Sequence, residues 1–153
     1  MSSQWQLAQV NIGRAHAPLT DPIMAEFAQA LDEINLLAER SPGFVWRLKD
    51  ESSNVTSIKA FPDPLLLVNI SVWSDLAALR DYVYRSVHGR FFARREAWFE
   101  KPEKAHLVLW WLPVGQLPTV EEAKRQLTLL DEYGPTVEAF SFRQPFPSPE
   151  FIL

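Results

Sequence analysis

Asn69 and Trp73 stand four apart in the strand-forming run VNISVW, and a strand's period of two sets both on one face. His88 and Arg95 are seven apart in a stretch of helical character and share a helix face, with Arg94 one position round from it. Asn11 closes a first strand, while Arg47, Tyr82 and Trp98 belong to elements able to bring them to the same region. Together they describe an aromatic, apolar pocket with a few convergent polar groups, the usual make-up of a small-molecule site. His88, with an unperturbed pKa of about 6.5, is the member suited to proton transfer. Each residue also has a structural role open to it. His88 can cap a helix, Asn69 can bond a neighbouring loop, Trp73 and Trp98 can be core or interface aromatics, and Arg94 and Arg95 can form a solvated charged face.

Several other chemistries find no support. The chain lacks G-x-S-x-G, a P-loop, G-x-G-x-x-G and H-E-x-x-H, and its five glycines leave little with which to build a phosphate-cradling loop. Without cysteine there is no thiol nucleophile, redox pair or Cys-ligated metal. Three widely spaced histidines make a weak metal site, although one could serve as an axial haem ligand; His16 and His106 read as surface groups. Fifteen Lys and Arg against nineteen Asp and Glu give a net charge of −4, which argues against nucleic acid as a partner. The first residues carry no basic-then-apolar leader, and no window approaches about 18 uninterrupted apolar residues. A soluble cytoplasmic protein without a membrane partner is expected.

A length of 153 residues suits one domain, residues 1–153 with a core over about 5–142, large enough to need no disulfide. Trp5 to Ile12 alternates as a first strand, with Trp5, Leu7, Gln9 and Asn11 on one face and Ala8, Val10 and Ile12 on the other. Thr20 or Asp21 then caps an amphipathic helix that starts at Pro22 and is stopped by Ser41-Pro42-Gly43. Phe44 to Leu48 is a short strand whose simple alternation sets Phe44, Trp46 and Leu48 opposite Val45 and Arg47. After a polar excursion over Asp50 to Pro64, Leu65 to Trp73 is a nearly continuous apolar strand, interrupted on one face by Asn69 and Ser71. Ser74 is placed to cap a second helix with Leu76, Leu79 and Val83 inward, followed by a further helical stretch over Val87 to Phe99. His106 to Leu112 is a fourth strand. Thr119 and Glu122 form a capping box for a last helix with Val120, Ala123, Leu127 and Leu130 inward, ended by Gly134-Pro135. Ala139 to Phe142 is a candidate edge strand in the tail.

The order β-α-β-β-α-β predicts an α+β ferredoxin-like sandwich: an antiparallel four-stranded sheet with two helices on one face, then a C-terminal helix and tail. Its other face is expected to be bare and to meet a ligand, the tail or a second subunit. Two copies laid sheet to sheet would close a barrel, each keeping a pocket between its sheet and helices.

The segments FVWRL at Phe44–Leu48, VNISVW at Val68–Trp73, LRDYVYRSVH at Leu79–His88, RREAWF at Arg94–Phe99 and LWWLPVG at Leu109–Gly115, followed by PTVEEA, resemble a bacterial family of unknown function. That family belongs to the dimeric α/β-barrel superfamily, whose better-known members are antibiotic-biosynthesis and haem-degrading monooxygenases. The resemblance runs from about Trp5 to Phe142 and implies a homodimer without naming a reaction.

Two patterns within the superfamily can be carried over. Cofactor-independent, quinone-forming monooxygenases use an Asn and a Trp four apart on a strand and an Arg on a following helix, to which Asn69, Trp73 and Arg94 or Arg95 are similar. Such groups would polarise a phenolic substrate and favour its anion, which can pass an electron to dioxygen without a metal. On this pattern Asn69 and Arg95 hold the oxyanion, Trp73 and Trp98 wall the pocket, His88 exchanges the proton, and Asn11, Arg47, Tyr82 and Arg94 bind substrate. The haem-degrading members use an Asn on the first strand, a Trp on the third and an axial His on the second helix, and Asn11, Trp73 and His88 resemble these. The crowded stretch from His88 to Arg95 favours the first pattern, a monooxygenase-like enzyme acting on a small aromatic or polyketide-like molecule with no cofactor. Haem binding is the second reading, and a non-enzymatic ligand-binding or interaction module the third.

Overall fold

The computed structural model describes residues 4–48, 62–87, 96–102 and 104–149. Its elements succeed one another as β1 (Trp5–Arg14), a 3-10 turn (Pro22–Met24), α1 (Ala25–Arg40), β2 (Phe44–Arg47), β3 (Leu66–Trp73), α2 (Leu76–Val87), β4 (Leu107–Pro113) and α3 (Val120–Tyr133). Local chemistry fixes the helix ends. Asp21 accepts from the Ile23 amide at 3.0 Å ahead of Pro22, which has no amide to satisfy. Asp75, rather than the expected Ser74, accepts from Ala78 N at 2.8 Å and caps α2, because the helix begins at Leu76 and Asp75 is the residue just ahead of it; Ser74 N donates instead to Gly43 O at 2.7 Å. Thr119 Oγ1 accepts from Glu122 N at 3.0 Å, and Glu121 and Glu122 place negative charge where the α3 dipole favours it. Gly134, at φ 71°, closes α3 with its N–H on Leu130 O.

The sheet order is β2-β3-β1-β4 with every neighbouring pair antiparallel, the ferredoxin-like α+β arrangement expected from the sequence, with the C-terminal helix present. Pairing gives the two faces distinct characters. One carries Leu7, Gln9 and Asn11 beside Asn69, Ser71 and Trp73, with Leu109 and Trp111 from β4. Its apolar members pack on Ala38 of α1 and on Leu76, Leu79 and Val83 of α2. The opposite face is aliphatic: Ala8, Val10, Val68, Ile70, Val72 and Val108, with Trp110 as its large aromatic from β4.

That second face is not bare. Ala123 and Leu127 of α3, together with Ala139, pack onto it, so it is buried within one chain. The amphipathic stripe of α3 finds its apolar partner here, and each large side chain so enclosed contributes on the order of 2 kcal/mol. The tail closes the β4 edge through the single bridge Leu109–Phe140 rather than a full strand, and Phe140, Phe142 and Phe146 then pack around Leu109 and Trp111.

A second correction concerns β2. Phe44 pairs with Trp73, but Trp46 pairs with Val72 and Arg47 with Ser71, so a bulge at Val45 breaks simple alternation. One inserted residue moves everything after it to the other side. Phe44 and Arg47 therefore share the polar face, while Trp46 joins the aliphatic one.

The segment ahead of β4 is fastened to the end of β1. Ala15 and Phe99 form a bridge, His16 N donates to Trp98 O, and Arg14 pairs with both Asp63 and Glu100. The Leu65 amide, and after it Arg14, hold the Asp63 carboxyl below the usual carboxylate range. Gly13 permits this closeness, since a Cβ there would lie 3.0 Å from the Phe99 ring. No helix among the described residues is long and apolar enough to cross a membrane.

Candidate functional site

Directly opposed residues on antiparallel strands bring their Cβ atoms to within about 5 Å. Asn11 faces Asn69, Gln9 faces Ser71 and Leu7 faces Trp73 across the β1–β3 pair. Four polar side chains thus meet under α1 and α2. Burying polar groups costs about 1–3 kcal/mol each unless they find partners, and these find one another. Gln9 Nε2 donates to Asn69 Oδ1 and to Ser71 Oγ, both at 2.7 Å, while its Oε1 accepts from Asn11 Nδ2 at 3.1 Å. Ser71 Oγ accepts a second time, from Trp73 Nε1 at 2.8 Å.

The network is graded in depth. Gln9, Ser71 and Trp73 are buried at 3%, 5% and 0% exposure, whereas Asn11 and Asn69 are only half-buried, so it opens at the asparagine end. Both acceptor positions of Ser71 Oγ are filled, and the Asn69 carbonyl is turned toward Gln9, which takes one of its two acceptor positions. Among the described residues, nothing accepts the Asn69 amide hydrogens or the Ser71 hydroxyl proton. The hydrogens left over in this network are therefore donors, and those of the half-buried Asn69 lie at its more open end.

Aromatic groups bracket this strip. Trp73 stacks on Tyr82 with ring centroids 4.9 Å apart and meets Phe44 edge-on at 5.5 Å. Arg47, 8% exposed and paired with Glu39 of α1 at 2.8 Å, places its charge near Tyr82. Trp98 lies elsewhere: it packs with Met24, Ala15, Ala17 and Phe27 in a separate cluster that includes Leu67, two residues along the polar face from Asn69. The structure accordingly sets Asn11, Asn69, Trp73 and Arg47 on one sheet face with Tyr82 stacked on Trp73; Asn11 and Asn69 lie between the Trp73 end and Leu67, and Trp98 packs beyond Leu67. His88, Arg94 and Arg95 lie outside the described residues. His16 and His106 are exposed, as expected.

Burial pushes the Tyr82 hydroxyl up to about 12, against a smaller opposing pull from Arg47. The unfolded chain therefore releases this proton near pH 10 while the folded chain holds it. The stabilisation is complete below pH 10 and disappears as pH rises toward 12. Denaturant melts across pH 9–12 should show stability falling over that window, and the fall should be shallower in Tyr82→Phe; equal slopes would refute the assignment.

Gln9 and Ser71 are the site members that motif reasoning passes over, since lone Gln and Ser on a strand match no motif. The signal that finds them is parity. Gln9 shares its face with Asn11, and Ser71 shares its face with Asn69 and Trp73.

The chain has a distant likeness to several solved structures. A protein of unknown function from Nitrosomonas europaea, NE2512, is 16% identical, with 76% of this chain and 97% of that one covered at a TM-score of 0.46. SnoaB, a cofactor-independent oxygenase from Streptomyces nogalater, is 20% identical, covering 73% and 95% at 0.42. PA3566 from Pseudomonas aeruginosa is 19% identical, covering 77% and 99% at 0.40. No curated protein matches the chain. A family described as a domain of unknown function matches residues 6–152.

Proposed function

The chain belongs to that family, DUF3291, as the sequence resemblance to a family of unknown function implied, and since membership brings no reaction with it, we propose from the site itself a small-molecule enzyme that binds an acidic phenol or enol as its anion. The observation that supports this is the donor strip of Asn69 and Ser71, held by Gln9 and Asn11 beside the Trp73–Tyr82 stack. Donors fixed in a partly dry site stabilise an oxyanion better than water does, because they need not reorganise as the charge develops.

An anion so held is the species that can give one electron to dioxygen. Radical recombination then forms a carbon–oxygen bond, and loss of water from the hydroperoxide leaves a quinone, so one dioxygen is consumed and one water released. No metal or cofactor enters this reading. From the sequence it takes Arg95 as a further cation and His88 as the proton acceptor. Asn69 is the catalytic residue, and Trp73, enclosed and bonded to Ser71, is a positioning residue. Oxygen uptake with an anthrone should exceed the buffer rate, and Asn69→Ala should slow it by about 10²-fold, the usual cost of one oxyanion donor. Uptake no faster than in buffer, or unchanged in the variant, would sink the proposal.

For the sheet-to-sheet homodimer implied by the resemblance, the face expected to be bare is covered by α3 and Ala139 of the same chain. Two copies are proposed to meet at α3 or at the β2 edge, where Val45 is exposed. Light scattering that reports the 17.6 kDa of one chain would exclude this pairing.

A further inference from the structure

We propose that Gln9 sets the polarity of the site: by donating both of its amide hydrogens inward, it turns the Asn69 amide so that its N–H2, not its carbonyl, faces the ligand. The inference rests on the anion-binding reading above and names the residue that makes that reading possible. A primary amide is nearly symmetric in shape but opposite in chemistry at its two ends, so an asparagine beside a ligand is a donor or an acceptor according to what holds its far side. For Asn69 that far side is Gln9 Nε2, 2.7 Å from its Oδ1. The same nitrogen supplies Ser71 Oγ at 2.7 Å and, with Trp73 Nε1, fills the Ser71 acceptor positions, so the serine too is left to donate.

Gln9 is itself fixed. At 3% exposure it has little water with which to exchange partners, and Asn11 Nδ2 donates to its Oε1 at 3.1 Å, the end that must accept for the other to donate. Four side chains on two strands thus form a directed chain of hydrogen bonds, from Asn11 to Gln9 and on to Asn69 and Ser71. Its direction selects ligands that accept: phenolate, enolate or carboxylate oxygen rather than a cation or a neutral hydroxyl donor.

Gln9→Glu changes the direction with little change in shape. A carboxylate at this position accepts only, so Asn69 must present Nδ2 to it and turn Oδ1 toward the ligand, while the Ser71 hydroxyl proton is drawn inward. The probe is 4-nitrophenol, whose anion and neutral form absorb differently, titrated with the full chain across pH. In the native protein the bound phenol should ionise about one pH unit lower than in solution, and Gln9→Glu should bring it to or above the solution value, with anion affinity at least tenfold weaker. Gln9→Met, which removes the hydrogen bonds without adding charge, should fall between the two. Thermal melting of each variant reports whether it has folded.

A mutant cycle separates reorientation from simple repulsion by the new charge. In an Asn69→Ala, Ser71→Ala background there is neither an amide nor a hydroxyl to turn, and Gln9→Glu should weaken anion binding less than threefold. A full tenfold loss in that background would overturn the positioning role of Gln9 while leaving the anion site standing. If the native protein fails to bind the nitrophenolate, or Asn69→Ala leaves its ionisation unchanged, the anion-binding reading falls and this inference with it. A native protein that raises the ionisation of the bound phenol would show the chain of hydrogen bonds to run the other way.

Discussion

Replacing Trp73 by alanine is expected to destabilise the fold by about 3–5 kcal/mol, the cost of removing a large aromatic from a core that cannot fully collapse. The indole has no solvent exposure, stacks on Tyr82 and meets Phe44 edge-on, so truncation leaves two rings facing a void. Each lost ring contact adds about 0.5–1.5 kcal/mol beyond the buried area. Against a usual total of about 5–15 kcal/mol, this is a large share, and for a chain of this length it corresponds to a fall in Tm of roughly 10–15 °C. Trp73→Phe keeps most of the volume and should cost about 1–2 kcal/mol, divided between lost packing and the loss of the bond from Nε1 to Ser71 Oγ. Melting curves followed by circular dichroism measure both. A loss below about 1 kcal/mol for Trp73→Ala would mean that the indole is not the packed centre of this layer.

The same residue shows how far the sequence reaches. Period-two reading places Asn69, Ser71 and Trp73 on one face and Gln9 with Asn11 on another strand's face, because each β-strand alternates whatever its partners are. Helix ends at Asp21, Thr119 and Gly134 are legible for a similar reason: caps are local chemistry, complete within a few residues. Register is not local. Only the pairing of β1 with β3 reveals that Gln9 lies opposite Ser71 and within reach of Asn69, which converts four scattered polar residues into one network. The bulge at Val45 is likewise invisible in FVWR, and it decides that Arg47 reaches the polar face. The apolar stripe of α3 is plain in the sequence, yet nothing in the stripe says that it folds back on its own sheet instead of leaving that face for a second copy. Residue type alone groups Trp98 with Trp73, and tertiary packing sends the two to different clusters.

Gly43→Ala is the second change with a large expected effect, and here two separable terms contribute. Gly43 leads into β2 with φ at +85°, a backbone conformation that costs an L-residue about 1–2 kcal/mol. Its missing side chain also admits α2. A Cβ there would sit 2.4 Å from Ala78 Cβ and 2.6 Å from Ser74 Oγ, well inside contact distance. Relief requires α2 to retreat, but the Ser74 amide donates to Gly43 O at 2.7 Å and ties the two segments together at this point. Overpacking of this kind costs about 1–3 kcal/mol, giving roughly 2–5 kcal/mol in all. Gly115→Ala supplies the control, because its φ of +96° is close to that of Gly43 while nothing lies within 4 Å of the added methyl. It should lose only about 1–2 kcal/mol, the conformational term alone. The difference between the two variants in urea unfolding then measures the closeness of β2 and α2. Equal losses would mean that α2 yields freely at Ala78, and that the helix layer over Trp73 and the polar network is looser than the contact at Gly43 implies.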